Sequence, residues 1–215
     1  MDTFWILAGA MIAALMALAV RFMVMRRSYQ RSGMEFRRNT AGKSYFDRNK
    51  SCHAYTQLLL HKLAPGRALA SLRVPSEGGE ALIGLVLAHP TGVYVFEIKD
   101  YGGALNGDAD SEYWTLGFQN GRTEKLYNPL WQGQAHIRVL EELLGIPEEL
   151  FYQYVVFGQR CQLREVPETN GNMALVEQAN LRSVLEKDLA ERAEALTAEQ
   201  TDAILDTLKN YSLQK

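Results

Sequence analysis

Two near-continuous apolar runs, Leu82 to Leu87 and Val93 to Phe96, separated by Pro90-Thr91-Gly92, constrain this chain most. Short apolar runs bounded by a turn read as strands covered on both faces, whereas a half-exposed strand would alternate. A chain carrying such a pair must supply helices to cover the sheet. The second run continues as Glu97-Ile98-Lys99. Side chains at i and i+2 of a strand share a face, so Glu97 and Lys99 project together while Val93, Val95 and Ile98 serve the core. A carboxylate beside an ammonium at a strand end is one way to hold a metal ion next to a scissile phosphate. The same pair also suits a plain ion pair on an ordinary sheet, worth little if exposed.

The remaining punctuation gives the element order. A helix spans about Asp47 to Leu63 and ends at Pro65-Gly66. Strands follow at Ala68–Val74, Ala81–His89 and Val93–Lys99. Glu112–Phe118 and Arg122–Tyr127 flank Asn120-Gly121, a strong hairpin signal. Asn128-Pro129 opens a helix that runs to Leu144, with Gly145 as its stop. Strands at 152–157 and 173–176 and helices at 181–195 and 198–211 close the chain, the last with a Thr197/Gln200 capping box. This order predicts an α/β or α+β domain with one mixed central sheet.

Ahead of this domain, Phe4 to Val20 is apolar and uncharged, and extension to Met25 adds only Arg21 as a charge. At about 1.5 Å per residue, residues 4–25 reach about 33 Å, enough to cross a hydrocarbon core. Basic residues follow the run rather than precede it, which fits a retained anchor better than a cleaved signal peptide. Residues 21–50 carry nine Lys and Arg against Glu35 and Asp47. The positive-inside bias then places the N-terminus outside and the C-terminal domain in the cytoplasm. Gly9, Ala13 and Ala17 recur every four residues, as in a close helix contact or simply a lipid-facing helix.

Residues 51–215 hold 14 Lys and Arg against 22 Asp and Glu, a net charge of −8. Phosphate attraction supplies most non-specific nucleic-acid affinity, so this balance argues against tight generic DNA binding. The basic stretch suits anionic lipid. Cys52 and Cys161 lack zinc or redox spacing and read as reduced structural thiols. Asp108, Asp110 and Glu112 lack a full calcium-loop pattern and read as a solvated hairpin end. His53, His61 and His136 read as packing or surface histidines, and Trp114, Trp131 and Phe118 as core.

Three stretches carry a family resemblance: Gly92-Val-Tyr-Val-Phe-Glu-Ile-Lys99 with Tyr101-Gly102-Gly103, then Trp114, then Asn128-Pro-Leu-Trp-Gln132-Gly-Gln-Ala-His136. Over residues 45–160 the chain resembles the nuclease-related domain (NERD) family of the restriction-endonuclease-like PD-(D/E)xK superfamily, many of whose members carry a membrane segment. The resemblance implies a restriction-endonuclease-like core with flanking helices and one N-terminal transmembrane helix. Together with the apolar run, its basic flank and the element order, it divides the chain into a transmembrane helix (1–25), a basic juxtamembrane linker (26–46), the nuclease-related domain (47–160), and a C-terminal strand and two helices on the same domain (161–215). It implies metal-assisted phosphodiester hydrolysis, with Mg²⁺ held by hard oxygen ligands. Glu97 would be a metal ligand, Lys99 the catalytic cation and Gln132 a polar orienter.

Two departures weigh against that chemistry. Aligning Leu82 to Pro90 on the family pattern puts Gly84 where a metal-binding Asp belongs. The first helix, Asn49-Lys-Ser-Cys-His-Ala54, lacks the expected acid. One carboxylate holds Mg²⁺ poorly. Glu80 is a substitute metal ligand only if about 13 Å of strand is bridged by a bulge or migration. The leading expectation is therefore a membrane-anchored, degenerate nuclease scaffold in the bacterial-type inner membrane, with a binding or assembly role and no metal. The alternative is an active Mg²⁺-dependent DNA or RNA nuclease using Glu97, Lys99 and Glu80. A third is a scaffold with protein partners alone. Partners on these readings are the bilayer through residues 4–25, weakly bound DNA or RNA, and unidentified proteins.

Overall fold

The computed structural model describes residues 16, 48–76, 79–168 and 171–212. The expected transmembrane helix and basic linker lie outside these residues, Met16 apart. Among the described residues no helix is long and apolar enough to cross a membrane. Tyr45–Leu213 form one compact unit.

The apolar runs do become central strands. β1 (Ala68–Ser76), β2 (Gly79–His89) and β3 (Gly92–Lys99) form an antiparallel meander. Gly92 makes the β2–β3 turn feasible. Its φ of +139° suits glycine, and a Cβ there would stand 2.4 Å from the Leu150 carbonyl. β7 (Phe151–Phe157) adds parallel to β3, and β9 (Met173–Glu177) parallel to β7, giving a five-stranded mixed sheet ordered β1-β2-β3-β7-β9. Every residue of β7 is buried, as a two-sided interior strand requires.

Helices cover both faces. α2 (Pro129–Leu144) and α4 (Ala198–Lys209) pack on the face built by Leu72, Val86, Val93 and Val95, with Ile137, Leu140, Leu205 and Leu208. α1 (Arg48–Leu63) and α3 (Leu181–Glu191) pack on the other, where Leu60, Leu181 and Leu185 meet Leu87, Tyr94, Phe96 and Tyr154.

The expected single sheet is in fact two. β4 (Gly103–Asn106), β5 (Tyr113–Gly117), β6 (Thr123–Tyr127) and β8 (Cys161–Leu163) form a separate sheet ordered β6-β5-β4-β8. Its inner face, Leu105, Trp114 and Leu116, packs on Val155 and Phe157 of β7 and Leu130 of α2. Trp114 is fully buried, with its indole N–H donating to the Asp108 carbonyl.

β1 and β2 share a defect. Between the pairs Ala70↔Leu85 and Leu72↔Ile83, Ser71 faces Gly84, and Ser71 has a φ of +56°. Side-chain alternation slips there. Leu69 and Leu72, three apart, join the same cluster, and so do Ile83 and Val86. The β2–β3 register also ends at Leu85↔Phe96, so the two strands part where Gly84 would face Glu97.

Candidate functional site

At that parting, Glu97 and Lys99 do project together. The Lys99 ammonium lies 3.4 Å from Glu97 Oε2, and both side chains are nearly buried, at 13% and 6% exposed. The cluster is completed by α2. Residues four apart on a helix share a face, and here Gln132 and His136 reach the strand. Lys99 Nζ donates to Gln132 Oε1 at 2.6 Å, and His136 Nδ1 meets Glu97 Oε1 at 2.5 Å. Both oxygens of Glu97 are therefore engaged, one by imidazole and one by ammonium. Burial, followed by the Cys161 thiol and then the Glu97 charge, pushes the Tyr101 phenol up to about 12.

Six neutral hydrogen bonds from two side chains, Asn128 and Gln153, fix the start of α2. Asn128 Oδ1 accepts from Leu130 N–H at 2.9 Å, a cap that satisfies one helix-end donor. The Asn128 amide nitrogen donates to the carbonyls of Asp108, Ala109 and Ser111, so one buried side chain ties the helix to the loop before β5. Gln153 of β7, also buried, donates to the carbonyls of Pro129 and Leu130. Gly133 leaves it room, since a Cβ there would lie 2.2 Å from Gln153 Nε2. The Asn-Pro-x-x-Gln-Gly pattern is thus a mounting for Gln132 and His136.

Opposite Glu97, Gly84 offers no ligand. A Cβ at Gly84 would find ordinary space, with the Phe96 carbonyl at 3.8 Å and His53 Nε2 at 3.9 Å. His53 of α1 sets its Nε2 3.3 Å from the Gly84 carbonyl oxygen. Burial lowers the His53 pKa, partly offset by that contact, which favours the neutral ring. Glu80, named as a substitute ligand, sits at the β1–β2 hairpin end, exposed and 3.4 Å from Arg73. It is not part of the cluster around Glu97. Among the described residues no three His, Cys, Asp or Glu side chains gather into a metal-binding group. The residues present do not fit a hydrolytic Mg²⁺: Gly84 supplies no carboxylate where the strands part, and the charge of Glu97 is already balanced by Lys99.

Of the residues singled out in the sequence, Glu97, Lys99 and Gln132 come together, Glu80 stays apart, and His136 proves to be the partner of the acid. Asn128 and Gln153 carry the supporting role. The Asn-Pro cap signal marked Asn128, while nothing in the sequence marked Gln153.

A mixed sheet that parts beside a Glu-x-Lys strand, with helices on both faces and a Gln/His helix over the acid, defines a nuclease-like α/β core. The family model described as nuclease-related domain matches residues 48–158, just over half of the 215-residue chain. The chain belongs to the nuclease-related domain family. No curated protein and no solved structure matches it.

Proposed function

We propose that this chain is a nuclease-related scaffold that binds its ligand without hydrolysing it. Residues 4–25 hold it at a bacterial-type inner membrane, with the domain on the cytoplasmic side. The observation that carries the non-hydrolytic reading is Gly84 opposite Glu97. Where the sheet parts, Glu97 has no second acid beside it among the described residues; Lys99 pairs with it and His136 hydrogen-bonds it instead. The anchor rests on the apolar run and its basic flank alone.

The test incubates the full chain, in detergent, with plasmid and single-stranded DNA in Mg²⁺ or Mn²⁺, beside Glu97→Ala and Lys99→Ala. No cleavage is expected. Cleavage abolished by both substitutions would overturn the reading, and further loss in Glu80→Ala would establish the Glu80-assisted enzyme. Calorimetry with Mn²⁺ gives a second readout. Gly84→Asp, for which the backbone has space, is expected to create a site that the parent chain lacks. Mn²⁺ binding by the parent that disappears in Glu97→Ala would contradict the proposal. Protease protection in spheroplasts and inverted vesicles tests the topology, with cleavage of the domain expected only in the inverted vesicles.

A further inference from the structure

The turn between β2 and β3 carries a hydrogen-bond relay whose polarity is fixed. His89 closes β2, and its Nδ1 accepts the Thr91 backbone N–H at 3.3 Å. An imidazole nitrogen that accepts carries no proton, so the ring is neutral with its proton on Nε2. The Thr91 hydroxyl, 2.9 Å from the same Nδ1, must then donate to it. The Thr91 oxygen is left to accept, and the Tyr94 hydroxyl, 2.7 Å away, donates to it. The relay thus runs one way, from Tyr94 through Thr91 to His89. Tyr94 and Thr91 are buried, at 0% and 1% exposed, while His89 is half-buried at the outer end.

This turn is also a junction. Between His89 and Thr91, the Pro90 carbonyl accepts the N–H groups of both Ala195 and Leu196, at 2.9 and 2.8 Å. Those residues lie on the connection from α3 to α4, and Leu196 is buried in the cluster that holds Val93 and Phe151. Gly92 is wedged against the start of β7, where a Cβ would stand 2.7 Å from the Tyr152 ring. Arg192 lies over that ring, its guanidinium carbon 3.8 Å from the centroid. One turn therefore ties the β2–β3 end, the start of β7 and the α3–α4 connection together.

Protonation of His89 defeats this arrangement. A proton on Nδ1 faces the Thr91 N–H, donor against donor, and the relay must reverse. Thr91 then accepts from the imidazolium and donates to Tyr94, and the Tyr94 proton loses its acceptor inside the core. Two donors are left unsatisfied, each at the cost of its desolvation. Charged groups face the ring from three sides. Glu194 does so from the α3–α4 connection and Arg67 from the α1–β1 link, and Arg67 is itself paired with Asp202 of α4 at 2.7 Å. At the inner end, Arg192, Asp188 and Tyr152 surround the Tyr94 hydroxyl. Burial lowers the His89 pKa, Glu194 opposes that shift and Arg67 adds to it.

We propose that the His89–Thr91–Tyr94 relay is an acid-sensitive latch: neutral His89 clasps the β2–β3 turn, and a proton on its Nδ1 releases the α3–α4 connection that Pro90 holds. The closed latch binds fewer protons than the released one. It is therefore fully closed above the usual histidine value of about 6.5 and yields as pH falls below it. The device depends neither on the membrane anchor nor on whether the domain cleaves DNA.

Hydrogen-exchange mass spectrometry of the full chain in detergent tests this at about pH 7.5 and about pH 5.5, corrected for intrinsic exchange. Peptides over residues 192–197 carry the Ala195 and Leu196 amides, and peptides over β7 report global opening. Acidification is expected to cost residues 192–197 about three- to tenfold more protection than β7. One proton taken up at a pKa of about 6.5 sets the upper bound of about tenfold. His89→Asn keeps an acceptor near the Nδ1 position but does not titrate, so the excess should vanish. Thr91→Val breaks the relay and should leave 192–197 loosened already at the higher pH, whereas Thr91→Ser should behave as the parent. His53→Gln acts on global stability from α1 and should keep the excess. An excess under about twofold in the parent, an excess that persists in His89→Asn, or parent-like protection in Thr91→Val would each overturn the proposal. Should His89→Asn not fold, NMR titration of the His89 ring in the parent decides. Its midpoint should coincide with the loss of the Ala195 and Leu196 protection, and a ring that titrates while those amides stay protected would sink the latch.

Discussion

At the scale of single residues, the cluster is an electrostatic balance centred on Glu97. A carboxylate at 5% exposure is costly unless it is paired and hydrogen-bonded. A catalytic metal would supply that pairing. Here Lys99 and His136 supply it, and Gln132 Oε1 accepts a further hydrogen bond from the Lys99 ammonium. The partners are not equivalent, which gives a testable order. Lys99→Met leaves the acid with imidazole alone and strands Gln132 Oε1, so its cost should fall in the range for breaking a buried pair, about 3–5 kcal/mol. Glu97→Gln removes the charge but keeps the shape, and Lys99 retains Gln132, so the expected cost is about 1–2 kcal/mol. Urea unfolding of the two variants checks this. The opposite order would mean that the charge on Glu97 is not what the cluster holds in place.

At the scale of elements, the placement of α2 decides whether Gln132 and His136 reach β3 at all. That placement passes through the buried Gln153 and its two carbonyl acceptors. Gly133→Ala pushes a methyl group into the Gln153 amide, and that amide has little room to yield at 2% exposure. The expected loss is about 1–3 kcal/mol, with Lys99–Gln132 contact loosened as α2 shifts. Gly133→Ala with Gln153→Ala should recover part of the packing strain, a coupling that a double-mutant cycle measures.

The α1–β2 contact makes a separate prediction in pH. His53 has its pKa lowered by burial, and His89 likewise, with Arg67 lowering it further against the opposing pull of Glu194. The folded state thus binds fewer protons than the unfolded chain below the usual histidine pKa of about 6.5. Stability is fully present above that value and falls as pH drops below it. The melting temperature should decline from about pH 7 toward pH 5.5, and His53→Gln should flatten the decline. A profile that stays flat in the parent chain would contradict the assignment of neutral rings.

The elements also show why some features were legible in sequence and others not. β2, β3 and β7 are apolar runs, and α2 has Asn-Pro at one end and Gly145 at the other, so local signals suffice. β4 and β8 give almost no local signal. They are four and three residues long, and they pair in parallel with Gly103 meeting Cys161. That pairing turns the expected single sheet into two. α3 stops at Glu191, short of the 195 expected, because the N–H groups of Ala195 and Leu196 turn to the Pro90 carbonyl. Glu97, Lys99 and Gln132 were visible because they lie on strongly patterned elements. The Glu97–His136 contact spans 39 positions and has no local trace.

At the scale of the whole molecule, the question is whether the two sheets unfold as one. The smaller sheet has no core of its own. Its inner residues Leu105, Trp114 and Leu116 are completed by Val155 and Phe157 of β7, so opening it exposes the interior strand of the larger sheet. The two cysteines report on this from opposite places. Cys52 is fully buried between α1 and the larger sheet, and Cys161 is 4% exposed on β8. Burial, followed by the Asp100 charge, pushes the Cys52 thiol up to about 12, and burial with Glu177 and Asp100 pushes Cys161 up to about 11. Only the thiolate attacks a disulfide reagent, so neither cysteine should react at pH 8 in the native state. In urea below the unfolding midpoint, each should become labelled through opening of the fold. If the shared cluster couples the sheets, the two protein-protection factors will be equal and will track the global unfolding free energy. Mass spectrometry of singly labelled peptides gives both rates in one experiment. Faster labelling of Cys161 would show that the smaller sheet opens independently of the strands that carry Glu97 and Lys99.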